Sequence, residues 1–190
     1  MRFRLHYRGP LHANADAARI QDIRRKIHPQ LVTLWNSGAL RIWKEKGWAL
    51  PSAPEIWFRE RGPFRCVPLV NHKLTTIASI HITWLRPGEL GSLVSGSGDI
   101  DNRLKTLFDA LRVPDVTQIP KGDSPKDGEN PFCCLLDDDA LITDVQVTTD
   151  RLLEPISRDN FEGKNLVEMT IAVETRSSME GFEMGTYFEW

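Results

Sequence analysis

Two groups of carboxylates and one lysine hold the residues whose types and spacing could do chemistry. Asp99 and Asp101 stand two positions apart, where the glycine- and serine-rich stretch Ser95-Gly96-Ser97-Gly98 gives way to an amphipathic segment, and Lys105 follows four residues after Asp101. Asp137-Asp138-Asp139 then precede the apolar run Ala140-Leu141-Ile142. A helix start explains part of this without chemistry. Asp99 is placed as an N-cap, Asp101 lies in the first turn where the helix dipole favours negative charge, and Asp101 and Lys105 share a face at ion-pair spacing worth about 0.2–0.5 kcal/mol. Three consecutive aspartates are harder to explain, because they repel one another unless solvent or a cation intervenes. A strand start beside the helix N-terminus would gather Asp99, Asp101 and Asp139 around one point. Hard oxygen donors of that kind suit Mg²⁺, with Mn²⁺ the alternative, and not zinc. A divalent metal beside a lysine is equipment for phosphodiester hydrolysis. The metal activates water and neutralises oxygens, and the ammonium takes up charge developing on the phosphoryl group.

The order and spacing of these residues go further than the chemistry alone. Asp99-x-Asp101-Asn102-x-x-Lys105-x-x-x-Asp109-Ala110-Leu111, followed by Asp138-Asp139-Ala140-x-Ile142, resembles the RusA family of Holliday-junction resolvases. The opening Phe3-x-Leu5-x-Tyr7-x-Gly9-Pro10 is similar to that family's first strand and turn. The firm resemblance covers residues 98–112 and 136–147. It implies that Asp99, Asp101 and Asp139 are catalytic carboxylates that bind Mg²⁺, with Asp138 as a further metal ligand, and that Lys105 contacts the scissile phosphate. It also implies an orienting role for Asn102, a structural one for Asp109, and a homodimer with two active sites that nicks opposed strands of a four-way DNA junction in recombination and repair.

The chain also departs from the family pattern. The stretch from Val113 to Leu136 is long, a helical segment over 15–48 has no counterpart in compact members, and Ser95-Gly96-Ser97-Gly98, just before Asp99, hold no aromatic or basic side chain. Asp137 makes a triplet where a pair is usual; Asp138-Asp139 is the preferred pair, since Ala140 and Ile142 then fall where the family has a small and an aliphatic residue. Two other readings therefore stand beside the resolvase: a nuclease for other branched DNA, and a non-catalytic dimeric DNA-binding module of the same fold.

The elements that must position these residues are legible from periodicity. Phe3, Leu5 and Tyr7 alternate with Arg2, Arg4, His6 and Arg8, as in a half-buried strand. Ala17, Ile20 and Ile23 fall on one helical face, Pro29 is expected to break or restart that helix, and a second helix carries Leu40 and Trp43 beyond Asn36-Ser37-Gly38. Strands are expected at 64–70 and 74–85, a loop at 87–98, and a helix at 100–112 with Leu104, Leu107, Phe108 and Leu111 as its stripe. Residues 114–131 read as a long proline- and glycine-rich loop, strands follow at 140–149 and 165–175, and 179–190 as a tail. The expectation is an α+β fold: a mixed β-sheet with flanking helices, RusA-like, with an added N-terminal helical region, in one domain over 1–178.

Composition bounds the rest. The 190 residues are 41% hydrophobic and 26% charged, which supports a core and excludes wholesale disorder. No apolar run reaches the length of a membrane span. Cys66, Cys133 and Cys134 show no metal-ligand spacing and read as reduced thiols of a cytoplasmic protein. The net charge of −2 conceals an asymmetry: residues 1–98 hold 15 Lys and Arg against 6 Asp and Glu, and residues 99–190 hold 9 against 20. Either the halves neutralise one another, the preferred reading on charge alone, or the basic half meets a polyanion. Arg24, Arg25, Lys26, Arg41, Lys44 and Lys46 are the candidates for DNA-backbone contacts, with simple solvation the alternative.

Overall fold

The amino-terminal alternation becomes β1 (Arg2–Pro10), with Leu5 and Tyr7 buried and Arg4, His6 and Arg8 facing out. The structure is a computed structural model that describes residues 1–49, 54–87, 100–153 and 165–178. After β1 come α1 (Ala17–Trp35), α2 (Gly38–Gly47), α3 (Pro54–Trp57), β2 (Arg59–Arg61), β3 (Phe64–Val70), β4 (Thr76–Arg86), α4 (Ile100–Leu111), β5 (Phe132–Leu136), β6 (Ile142–Arg151) and β7 (Leu166–Ser177). The architecture is α+β, as the periodicity predicts, with two sheets among the described residues rather than one. The larger has the order β1-β7-β4-β6 and the smaller β2-β3-β5, each mixing parallel and antiparallel pairs.

One face of the large sheet packs under α1 and α4. Ile80, Ile82, Trp84, Met169, Ile171 and Val173 meet Ile20, Ile23, Ile27, Leu31 and Trp35 from α1, and Leu107 and Leu111 from α4. The opposite face carries Arg4, His81 and Glu174 and is open among the described residues. Along the β1 edge the side chain of Gln30 closes the strand: it accepts from the His6 N–H at 2.8 Å and donates to the His6 carbonyl at 2.7 Å. Lys26 adds a bond to the Arg8 carbonyl at 3.0 Å.

Three expectations change. Pro29 lies inside α1, which runs unbroken to Trp35. The proline is exposed while Ile27 and Leu31 on either side are buried. Burying each such side chain contributes about 1.5–3 kcal/mol, so together they outweigh the roughly 3 kcal/mol a helix-interior proline costs. Second, the stretch after α4 contains β5, buried throughout and parallel to β3. Third, it is no free loop. Arg25 from α1 reaches Asp123 and Glu129, each at 2.9 Å. His28 accepts from the Cys133 N–H through Nδ1 at 2.9 Å, which leaves Nε2 protonated to donate to the Gly128 carbonyl at 3.0 Å.

The same bonds correct the reading of the basic cluster. Arg24 is buried and donates to the Asp109 carbonyl at 2.6 Å, and Arg25 is spent on the loop, so neither faces outward toward a polyanion. Pairs that join the basic and acidic halves, Arg2–Glu174, Arg8–Glu168, Arg25–Glu129 and Arg59–Asp137, show that part of the charge asymmetry is neutralised internally. No described helix is long and apolar enough to cross a membrane. The loop at 88–98 and the tail at 179–190 lie outside the described residues.

Candidate functional site

The aspartate triplet is split three ways by its surroundings. β3 and β5 run parallel and end together, and the Asp137 N–H donates to the Val70 carbonyl at 2.8 Å just past that end. The Asp137 carboxylate is clasped by Arg59, Nε to Oδ1 at 2.8 Å and Nη2 to Oδ2 at 2.6 Å, a two-pronged geometry that satisfies both oxygens. Asn71, fully buried, holds Arg59 from the other side by accepting from Nη2 at 2.8 Å. Nothing in the sequence links Arg59 or Asn71 to the triplet: 78 residues separate Arg59 from Asp137, and the contact depends on β2 and β3 folding back. Asp138 caps the short 3₁₀ turn Asp139–Leu141, accepting from the Ala140 N–H at 2.8 Å. Asp139 is exposed in that turn, one step before β6 begins.

The other group sits on α4. Asp101 is exposed in the first turn, and Leu107, Ala110 and Leu111 bury the opposite stripe. Lys105 is exposed on the same helix. It lines a cleft of about 310 Å³ between α1 and α4 together with Asn14, Asn102, Asp109 and Gln118. Asp109 has a structural part, accepting from Arg112 Nε at 3.1 Å and Gln118 Nε2 at 3.0 Å. Asp99 lies outside the described residues.

Sheet register shows how these groups are distributed. The first turns of α4 are tied to one end of the large sheet, where Arg103 donates to the Leu11 carbonyl and to Asn165 Oδ1. The far end of α4 is tied to the triplet's corner, where the Val113 N–H donates to the Leu136 carbonyl at 2.8 Å. The 3₁₀ turn bearing Asp139 leads into Ile142, which pairs with Ala78 opposite Thr175. From Asn165 to Thr175 the sheet spans ten residues, roughly 30 Å at about 3.3 Å each. Asp101 and Asp139 of one chain therefore stand toward opposite ends of the sheet, and the strand start neighbours the helix C-terminus instead of its N-terminus. The expectation of one gathering point failed because sequence spacing does not record that β4 carries the chain the length of the sheet before α4 returns.

The donors at both ends, exposed carboxylate oxygens, have the hardness Mg²⁺ or Mn²⁺ requires. Among the described residues, no three of His, Cys, Asp and Glu converge to hold a metal ion. The buried thiols take no part: burial pushes the Cys133 thiol up to about 12, and a hydrogen bond with Cys66 together with burial raises Cys134. His81 and Asp144 form an exposed pair at 2.8 Å on the open sheet face. Compared with known proteins, the chain matches no family model, no curated protein and no solved structure.

Proposed function

We propose that this chain is a Mg²⁺-dependent endonuclease for branched DNA, with the four-way junction as its leading substrate and a homodimer as its working form. The observation that carries the reading is the placement of Lys105: exposed on the helix whose first turn bears Asp101, and lining a cleft with Asn102, Asp109 and Gln118. The clasp of Arg59 on Asp137 supports the choice of Asp138 and Asp139 as the functional pair, since it leaves those two at the surface turn.

The opposite placement of Asp101 and Asp139 adds a condition. The carboxylate set is completed between two chains, Asp101 of one protomer with Asp139 of its partner, and a lone chain is inactive. Exposed Arg41 and Lys46 on α2 remain as candidates for DNA-backbone contact once Arg24 and Arg25 are removed from that list.

The test is nicking of synthetic four-way junctions, flaps and linear duplex with Mg²⁺ and with EDTA, the native chain beside Asp101→Asn. Paired, metal-dependent nicks on the junction that fall by on the order of 100-fold or more in the variant are expected. Cutting of flaps alone keeps the site and changes the substrate. Binding without cutting by a folded dimer overturns the nuclease, and the separation of the two acidic groups then favours the binding module.

A further inference from the structure

The two edges of the large sheet are treated differently. The β1 edge is occupied by side chains from α1. The β6 edge offers ten residues, Ile142–Arg151, whose outer side meets no other strand among the described residues. Long unpaired edges of this kind template pairing with another chain unless charge, proline or a bulge blunts them. β6 contains no proline, its exposed charges Asp144, Asp150 and Arg151 lie toward its two ends and leave Val145–Thr149 uncharged, and its register shift with β4 falls at its very start, between Ala78 and Ser79.

The residues of β6 suit one occupant. Val145 and Val147 pair with Ile80 and Ile82 and so point to the core face, yet Val145 is 44% exposed. Asp144, Gln146, Thr148 and Asp150 point to the open face beside Ser79, His81, Thr83 and Leu85. A second copy laid antiparallel about a twofold axis perpendicular to the sheet keeps core-facing residues core-facing, so the axis must pass through a residue. Placed at Gln146, it sets Val145 against the partner's Val147 and Val147 against the partner's Val145. It also sets Asp144 against Thr148 and Ile142 against Asp150, so no carboxylate faces another. Placed one residue further on, at Val147, it opposes Asp144 to Asp150, a like-charge pair that destabilises a ladder. One residue back, at Val145, it matches a single valine pair and shortens the ladder.

We infer that β6 is a self-pairing edge, at which two copies of this chain join antiparallel about Gln146 into one eight-stranded sheet. The inference rests on the homodimer of the proposed function and names its interface; it needs neither DNA nor metal, so a failure to nick leaves it standing, whereas a monomer overturns both.

Sedimentation of the native chain at tens of micromolar should give a dimer, and Val145→Lys should shift it to a monomer that keeps the native circular dichroism spectrum, its thermal midpoint losing the concentration dependence that a dimer confers. Register is read by disulfide trapping with diamide as oxidant, since all three native cysteines are buried. Directly opposed residues have Cα atoms about 4.5–5.5 Å apart, within disulfide reach. Gln146→Cys should therefore cross-link to itself, and Thr148→Cys, held opposite Asp144, should not. A monomeric native chain, a dimer that survives Val145→Lys, or cross-linking at 148 in place of 146 overturns the inference. Capture of an unrelated strand by a monomer does so as well.

Discussion

The α1 side and the β6 side of this molecule reverse what their sequences suggest. Arg24-Arg25-Lys26 reads as a charged surface waiting for a polyanion, yet two of the three are drawn inward to hold another part of the chain. Ile142 to Arg151 reads as an ordinary sheet strand, yet among the described residues one side and much of both faces stay open. The difference teaches that the charge of a segment says little about its exposure. What decides is whether another element carries complementary groups to the same place. The segment after α4 brings Asp123, Glu129 and two backbone carbonyls, those of Ser124 and Gly128, to α1, whereas among the described residues nothing comparable arrives at β6.

The largest effect that would sharpen this contrast is complementation on the open side. Asp101→Asn and Asp139→Asn are each expected to abolish nicking alone. Mixed in equal amounts and allowed to exchange, they should recover up to about a quarter of native activity, because half the dimers are mixed and each holds one intact site. Sites built within single chains would recover nothing, which is the outcome that breaks the two-chain reading.

On the closed side, Arg25→Ala leaves Glu129 poorly hydrated and unpaired, and should cost about 2 kcal/mol by urea denaturation. The same clamp predicts acid sensitivity. Burial pushes the Glu129 carboxyl up, but hydrogen bonds from Arg25 and the Lys126 N–H, with the charge of Arg25, hold it below the usual range. A depressed carboxyl stabilises the fold above the ordinary glutamate value of about 4.3 and loses that contribution as the pH falls below it. Stability measured against pH should show this fall in the native chain and less of it in Arg25→Ala. An equal fall in both would remove Glu129 from the clamp. The smallest effect belongs to the open face: Asp144→Asn breaks an exposed pair with His81 and should change stability by less than about 0.5 kcal/mol.

Much of the fold could be read in advance because half-buried elements write their periodicity plainly. Phe3, Leu5 and Tyr7 mark β1, Ile80, Ile82 and Trp84 mark β4, and Leu107 and Leu111 mark α4. The strand β5 was hidden because both its faces are buried, so Cys133-Cys134-Leu135-Leu136 shows no alternation. Arg24 carries a signal of its burial in the sequence. It lies four residues after Ile20 and three before Ile27, on the apolar stripe of α1, where a guanidinium must turn inward to find a partner. For the site, helix placement and the exposure of Lys105 followed from spacing, while the partition of the aspartates did not. Arg59 reaches Asp137 only through tertiary structure, and the distance between the two acidic groups is a property of topology.

One consequence follows from Gln30. By filling both hydrogen-bonding positions of His6, it makes the large sheet one-sided as a building block. A sheet able to extend at both edges grows into a fibre of indefinite length, whereas one able to extend at a single edge is exhausted after one partner. A glutamine on a helix would thereby limit the stoichiometry of the proposed assembly, whose contacts lie three strands away.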